Sequence, residues 1–210
     1  MTGFLEHLRI QRWDDHRYYH HSLVNQSLHL LSALSFVCAY LIMLTDPALA
    51  ALVAWLVSMT SRQIGHLVFE PRTYDVVNKA SHEYKEAIKI GYNLRRKVVL
   101  LSIWALSPLV FVVDPAFFGL CLPATDVLTF ARHVGHLWLA IGIGALLFRT
   151  IQLFFIKDVQ TGLVWATKII SDPFNDIRLY RGAPKALMQR RGLTVDGEEE
   201  FSAEAIEMGR

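Results

Sequence analysis

The sequence predicts an all-α, polytopic membrane protein of about four transmembrane helices with cytoplasmic amphipathic helices. Three observations predict it. Hydrophobic residues make up 53% of the 210-residue chain and charged residues only 19%, where a soluble domain carries roughly 25% charged residues. Mean hydropathy is +0.31. The apolar residues fall in long uncharged runs, three of them apolar all round, whereas a soluble bundle shows amphipathic stripes. The same numbers exclude other classes. Disorder needs low hydrophobicity and high net charge. A nucleic-acid binder needs a basic surface, and Lys+Arg 21 against Asp+Glu 19 leaves only +2. Cys38 and Cys121 make neither a disulfide framework nor a zinc motif.

The first 17 residues carry Glu6, Arg9, Arg12, Asp14, Asp15 and Arg17 with no apolar core, so no secretory signal is expected. The first run is Tyr18 to Thr45, with its apolar part Leu28 to Leu44. The second is Pro47 to Ser61, passing Arg62 to reach Phe69. The third is Val98 to Val113. The fourth is His133 to Phe148, passing Arg149 to reach Ile156. A span needs about 20 apolar residues. The first run meets this; the others meet it if a terminal arginine snorkels. Ala140 and Gly144 are expected to let the fourth helix approach a neighbour closely.

Lysines and arginines set the expected orientation. Arg72, Lys79, Lys85, Lys89, Arg95, Arg96 and Lys97 lie between runs two and three. Lys157, Lys168, Arg178, Arg181, Lys185, Arg190 and Arg191 follow run four. The turn between runs one and two has none, and the loop between three and four has only Arg132. Positive-inside therefore puts both termini in the cytoplasm, in a bacterial inner membrane or the endoplasmic reticulum. Two interfacial helices are expected, 74–92 with Val77, Ala80, Tyr84 and Ile88 as its stripe, and 157–171 with Val159, Leu163, Ala166 and Ile170. Residues 1–160 are read as a transmembrane catalytic domain. Residues 161–210 are read as a cytoplasmic C-terminal helix with a tail frayed from Thr194.

Nine histidines are unusual for this composition. His133 and His136 open the fourth run, across a membrane about 30 Å thick from the rest. On the near side, His21, Asn25 and His29 sit at i, i+4 and i+8, spanning about 80° of one helical face. His20 reaches the same place only if the helix starts after it, and Ser22 suits that start as an N-cap. Run two supplies Gly65, His66 and, one turn later, Glu70. Ionisable groups at membrane depth are costly and face a cavity or a partner. Converging imidazoles suit iron, zinc, copper or nickel. His20, His21, His29 and His66 are thus candidate ligands, with His16 and His82 as outlying ones.

At these residues the chain resembles the membrane 2-hydroxy fatty acid dioxygenases that turn phytosphingosine-derived chains into odd-numbered fatty acids. That family shows a tyrosine, a histidine pair, an asparagine and a further histidine, then a Gly-His followed by Phe-Glu. Here these are Tyr19-His20-His21, Asn25, His29, and Gly65-His66 with Phe69-Glu70. The match covers about the first 75 residues. It departs after Glu70, where Pro71-Arg72-Thr73 replaces the family's basic residues and Pro-Ala. The resemblance implies an Fe(2+)-dependent enzyme that oxidises 2-hydroxy fatty acids with dioxygen and shortens them by one carbon. It implies Asn25 and Glu70 as groups orienting the imidazoles, with direct ligation by Glu70 as the other option. Tyr19 becomes a donor to substrate or oxygen, and Arg62 or Arg72 a partner for the carboxylate. The partners are the fatty acid, dioxygen and the lipid bilayer, with a homo-oligomer left open. Other readings of the same histidines are a haem-binding membrane redox protein with His29 and His66 as axial ligands, a two-metal lipid hydroxylase, and a non-enzymatic adaptor.

Overall fold

The computed structural model describes residues 3–70 and 73–190. The fold is all-α. Its helices are α1 (Phe4–Tyr19), α2 (Leu23–Ile42), α3 (Pro47–Val68), α4 (His82–Ile88), α5 (Leu94–Val113), α6 (Val127–Ile156), α7 (Val159–Tyr180) and α8 (Ala183–Arg190). Helices α2, α3, α5 and α6 are long and apolar enough to cross a membrane.

Local chemistry sets the starts. Ser22, Asp46, Ser81, Asn93, Asp126 and Asp158 each accept a backbone N–H three residues on, opening α2 through α7 in turn. Each cap satisfies one of the amides that a helix N-terminus leaves bare. Pro47 follows its cap at the first helical position, where its missing N–H costs nothing. Midway along α3, Ala54–Met59 widen into π-helical turns. There Trp55 stacks on Trp104 with ring centroids 5.2 Å apart and donates its indole N–H to the Trp138 carbonyl. This cluster fills the end of the bundle away from the near-side histidines.

Burial is inverted relative to a soluble bundle. Helix α5 turns Val99, Ile103, Leu106, Val112 and Val113 outward. Inside lie Asn25, Gln26, Ser32, Ser58 and Ser61. Apolar faces outward and small or polar ones inward are what a lipid surrounding favours.

Several expectations are revised. Helix 74–92 shrinks to α4, because Asp75 closes a turn on Asn78 and pairs with Ala80, and Ser81 restarts the chain as a cap. The stripe expected over 157–171 lies in the longer α7, and Val159, Leu163 and Ile170 point outward while Lys168, Asp172, Asp176 and Tyr180 point in. Helix α7 packs on α1, α2 and α6, so residues on both sides of position 160 share one bundle. The tail from Thr194 lies outside the described residues. Arg149 does not snorkel: it is buried and donates to the Ile90 carbonyl. Arg62 likewise turns inward, to Asp176. Ala140 and Gly144 are exposed, with open space where a Gly144 Cβ would sit. The close approach of α6 comes instead at Gly135, where a Cβ would stand 2.4 Å from the Ala48 carbonyl oxygen.

That contact yields a paired prediction. Gly135→Ala forces α3 and α6 apart and lowers stability by about 1–3 kcal/mol, read as a lower melting temperature in detergent. Gly144→Ala leaves it unchanged to within about 0.5 kcal/mol.

Candidate metal centre

The break between α1 and α2 builds the site. Helix α1 ends at Tyr19, and Ser22 caps α2 two residues after His20. Carbonyls freed at the end of α1 are taken by side chains of the next helix: Asn25 donates to the Tyr19 carbonyl at 2.8 Å, and Gln26 to that of His20 at 3.0 Å. His20 is thereby held in the linker and aimed back over α2. His29 lies on α2, and His66 on the last turn of α3. The two helices meet at Gly65, where a Cβ would stand 2.2 Å from Asn25 Oδ1 and 3.5 Å from His29 Cδ2. Only glycine there lets His66 come this near.

One ligand atom from each of His20, His29 and His66 lies within 4.8 Å of the other two. Ring centroids are 4.0 Å apart for His20–His29, 4.9 Å for His29–His66 and 5.3 Å for His20–His66. A metal binding nitrogen at about 2.1 Å keeps its ligand atoms about 3–4 Å apart, so the three rings sit near ligating spacing. His20 and His29 are 3% and 1% exposed. His20 Nε2 and both nitrogens of His29 are buried without a hydrogen-bond partner among the described residues. Orphaned buried nitrogens are costly, and a shared metal removes that cost. The donor set fits a divalent first-row metal and leaves positions for other ligands.

The outer nitrogens are engaged. His20 Nδ1 lies 2.9 Å from the Tyr180 hydroxyl, which lies 3.0 Å from His16 Nδ1. With Nε2 as the ligand, His20 Nδ1–H donates to Tyr180 and the tyrosine hydroxyl donates to His16. His66 Nδ1 donates to Glu70 Oε2 at 2.7 Å. Such contacts fix tautomer and ring direction. His29 Nδ1 faces Asp176 at 3.9 Å, and Asp176 pairs with Arg62. Beyond these, Lys168 bridges Asp15 and Asp172 at 2.8 and 2.6 Å. Burial, and then the nearby His29, holds the His20 pKa well below the ordinary imidazole value, so the ring is neutral and able to ligate at neutral pH. Burial pushes the Tyr180 hydroxyl well above its ordinary value, keeping its proton in place.

The predicted residues divide. His20, His29 and His66 come together. His21 does not: starting α2 at Leu23 takes it off the helical face, and its Nε2 lies 3.3 Å from Asp75. Glu70 stands behind His66 as expected. Asn25 braces the linker and Gly65 rather than bonding an imidazole. The Tyr19 hydroxyl donates to the Lys85 carbonyl at 2.6 Å, away from the cluster. Arg62 meets Asp176, and Arg72 lies outside the described residues. His16 joins through Tyr180 instead of ligating, and His82 lines a cleft beside His66 and Glu70. His133 packs against Phe111 at the other end of the bundle.

Sequence reasoning missed Tyr180, Asp176 and the ion pairs behind them. Their signal is legible in retrospect: Lys168, Asp172, Asp176 and Tyr180 recur every four residues, one polar face of α7. A haem has no slot here, because the His29 and His66 ring centroids lie only 4.9 Å apart, too close to sandwich a macrocycle. Among the described residues no second cluster of potential metal ligands accompanies the first, which counts against the two-metal centre. Comparison with protein-family models, curated proteins and solved structures matches nothing.

The Tyr180 contact generates a prediction. Tyr180→Phe keeps the ring packing and removes the hydroxyl behind His20. Affinity for a divalent first-row metal, measured by chelator competition, is expected to fall about 10–100-fold. Undiminished affinity would show that Tyr180 does not orient a ligand.

Proposed function

We propose that the chain is an Fe(2+)-dependent dioxygenase of the membrane that oxidises 2-hydroxy fatty acids and releases the acid one carbon shorter. The observation that carries this reading is the cluster of His20, His29 and His66, with His20 Nε2 and both nitrogens of His29 buried and unpartnered among the described residues, at the residues where the sequence resembles that family. Four apolar helices, two of which carry His29 and His66, suit an acyl chain arriving from a bilayer. Positive-inside places the cluster and both termini on the cytoplasmic side.

The reaction balances without an external reductant. A 2-hydroxy acid and one dioxygen give the shortened acid, carbon dioxide and water. The C1–C2 bond breaks, C2 rises to a carboxyl, and dioxygen takes four electrons. Iron held by the imidazoles would supply the site for dioxygen and the electrons that activate it. The protein's own groups do the rest. His20, His29 and His66 would hold the metal and leave positions for the substrate's hydroxyl and carboxylate. Glu70 and Tyr180 fix two of the imidazole tautomers. The low dielectric of the bundle strengthens each of these contacts.

The test uses protein purified anaerobically in detergent. The wild type is expected to hold about one iron per chain and to convert 2-hydroxyhexadecanoate to pentadecanoate with loss of labelled C1. His29→Ala and His66→Ala are each expected to lose both iron and turnover. Full turnover by iron-free His29→Ala would refute the proposal.

A further inference from the structure

Two of the three clustered imidazoles have a partner at the outer nitrogen. His66 Nδ1 donates to Glu70 at 2.7 Å, and His20 Nδ1 lies 2.9 Å from the Tyr180 hydroxyl. His29 is the third, and both of its nitrogens are buried without a hydrogen bond among the described residues. One group nevertheless stands before its Nδ1: Asp176 Oδ2, on α7, at 3.9 Å. The other side of the ring, at Cδ2, stands toward Gly65 of α3, the neighbour of His66. Cδ2 is bonded to Nε2. His29 therefore turns Nδ1 toward α7 and Nε2 toward the side on which α3 carries His66.

The carboxylate is anchored where it stands. Arg62, one turn before His66 on α3, pairs with the same Oδ2. Asp176 lies one turn before Tyr180, so one face of α7 stands behind two rings of the trio, with Tyr180 at His20 and Asp176 at His29. Asp176 and His29 are 5% and 1% exposed, so bulk water does not screen the pair. An N–H···O bond spans about 2.9 Å, which leaves a gap of about 1 Å to close. A metal at Nε2 puts the ring proton on Nδ1 and strengthens its pull on a carboxylate. The geometry points to Asp176, anchored by Arg62, as the residue that positions His29, accepting Nδ1–H and leaving Nε2 to the metal. A carboxylate in that place also makes the imidazole a stronger ligand. This role rests on the proposed metal centre and is independent of the reaction run there.

The test uses the full chain in detergent, loaded with Co(2+), a divalent probe that imidazoles hold. In protein carrying 15N-labelled histidine, the hyperfine-shifted ring N–H of His29, assigned through its ring correlations, is expected at Nδ1 and in slow exchange with solvent. A His29 N–H at Nε2 would overturn the role outright. Asp176→Asn is expected to speed exchange of the His29 N–H and not that of His20 or His66; unchanged exchange, or equal change in all three, would also overturn it. Co(2+) affinity, by chelator competition, is then compared in Arg62→Met and Arg62→Met/Asp176→Leu, which differ only in the carboxylate. The single variant is expected to bind at least as tightly as wild type, because it loses a nearby cation and keeps the carboxylate. The double variant, which leaves no unpaired buried charge, is expected to bind about 10–100-fold more weakly. Equal affinities in the two would make Asp176 a counter-ion of Arg62 alone. Wild type that binds no Co(2+) removes the metal centre and this role together. Metal binding that depends on Asp176, with no product from 2-hydroxyhexadecanoate in the Fe(2+)-loaded chain, removes the dioxygenase reading and leaves the role standing.

Discussion

Three imidazoles crowd together in the protein interior, two of them almost wholly shielded from solvent, and His20 Nε2 and both nitrogens of His29 find no hydrogen-bond partner among the described residues. In an apolar bundle each such nitrogen costs free energy. The neighbourhood is built to hold the rings in place and to leave those nitrogens bare. Gly65 admits α3 to α2 at this depth. Asn25 and Gln26 lock the linker carrying His20. Tyr180 and Glu70 hold two outer nitrogens. A metal ion would supply the missing partner for the inner ones.

A second layer explains why so many charges sit in so apolar a chain. Helix α7 turns its polar face inward, and α1 answers with Arg12 on Asp172 and Asp15 on Lys168. Burial raises the Asp172 pKa, with Lys168 acting against it. For Asp15 the balance is reversed: burial opposes ionisation, but Lys168 and its cationic neighbours outweigh it and hold the carboxyl below its ordinary value. A network of this kind contributes little net stability compared with apolar packing. Its place directly behind His16, His29 and Tyr180 suits a role in fixing the rings relative to one another.

Much of this was legible in the sequence. The four spans followed from run length and composition. His29, His66 and Glu70 followed from helical spacing and from the cost of polar groups at membrane depth. The choice between His20 and His21 turned on a single cap: spacing along a continuous helix favours His21, whereas Ser22 starts α2 late enough to give the place to His20. What escaped was long-range. Tyr180 is 160 residues from its partner His20, and the polar repeat on α7 is hidden by the apolar stripe on its opposite face. The functions expected of Tyr19 and Arg62 failed because each finds a partner within the protein, the Lys85 carbonyl and Asp176, that local sequence does not reveal.

The central claim is that these imidazoles grip one ion. Iron-edge X-ray absorption on protein loaded anaerobically with Fe(2+) tests it most directly. The account predicts a first shell containing about three imidazole nitrogens, falling by one in His20→Ala and unaltered in His21→Ala. A shell of oxygen scatterers alone, or one that loses a nitrogen with His21 and keeps it without His20, would contradict it.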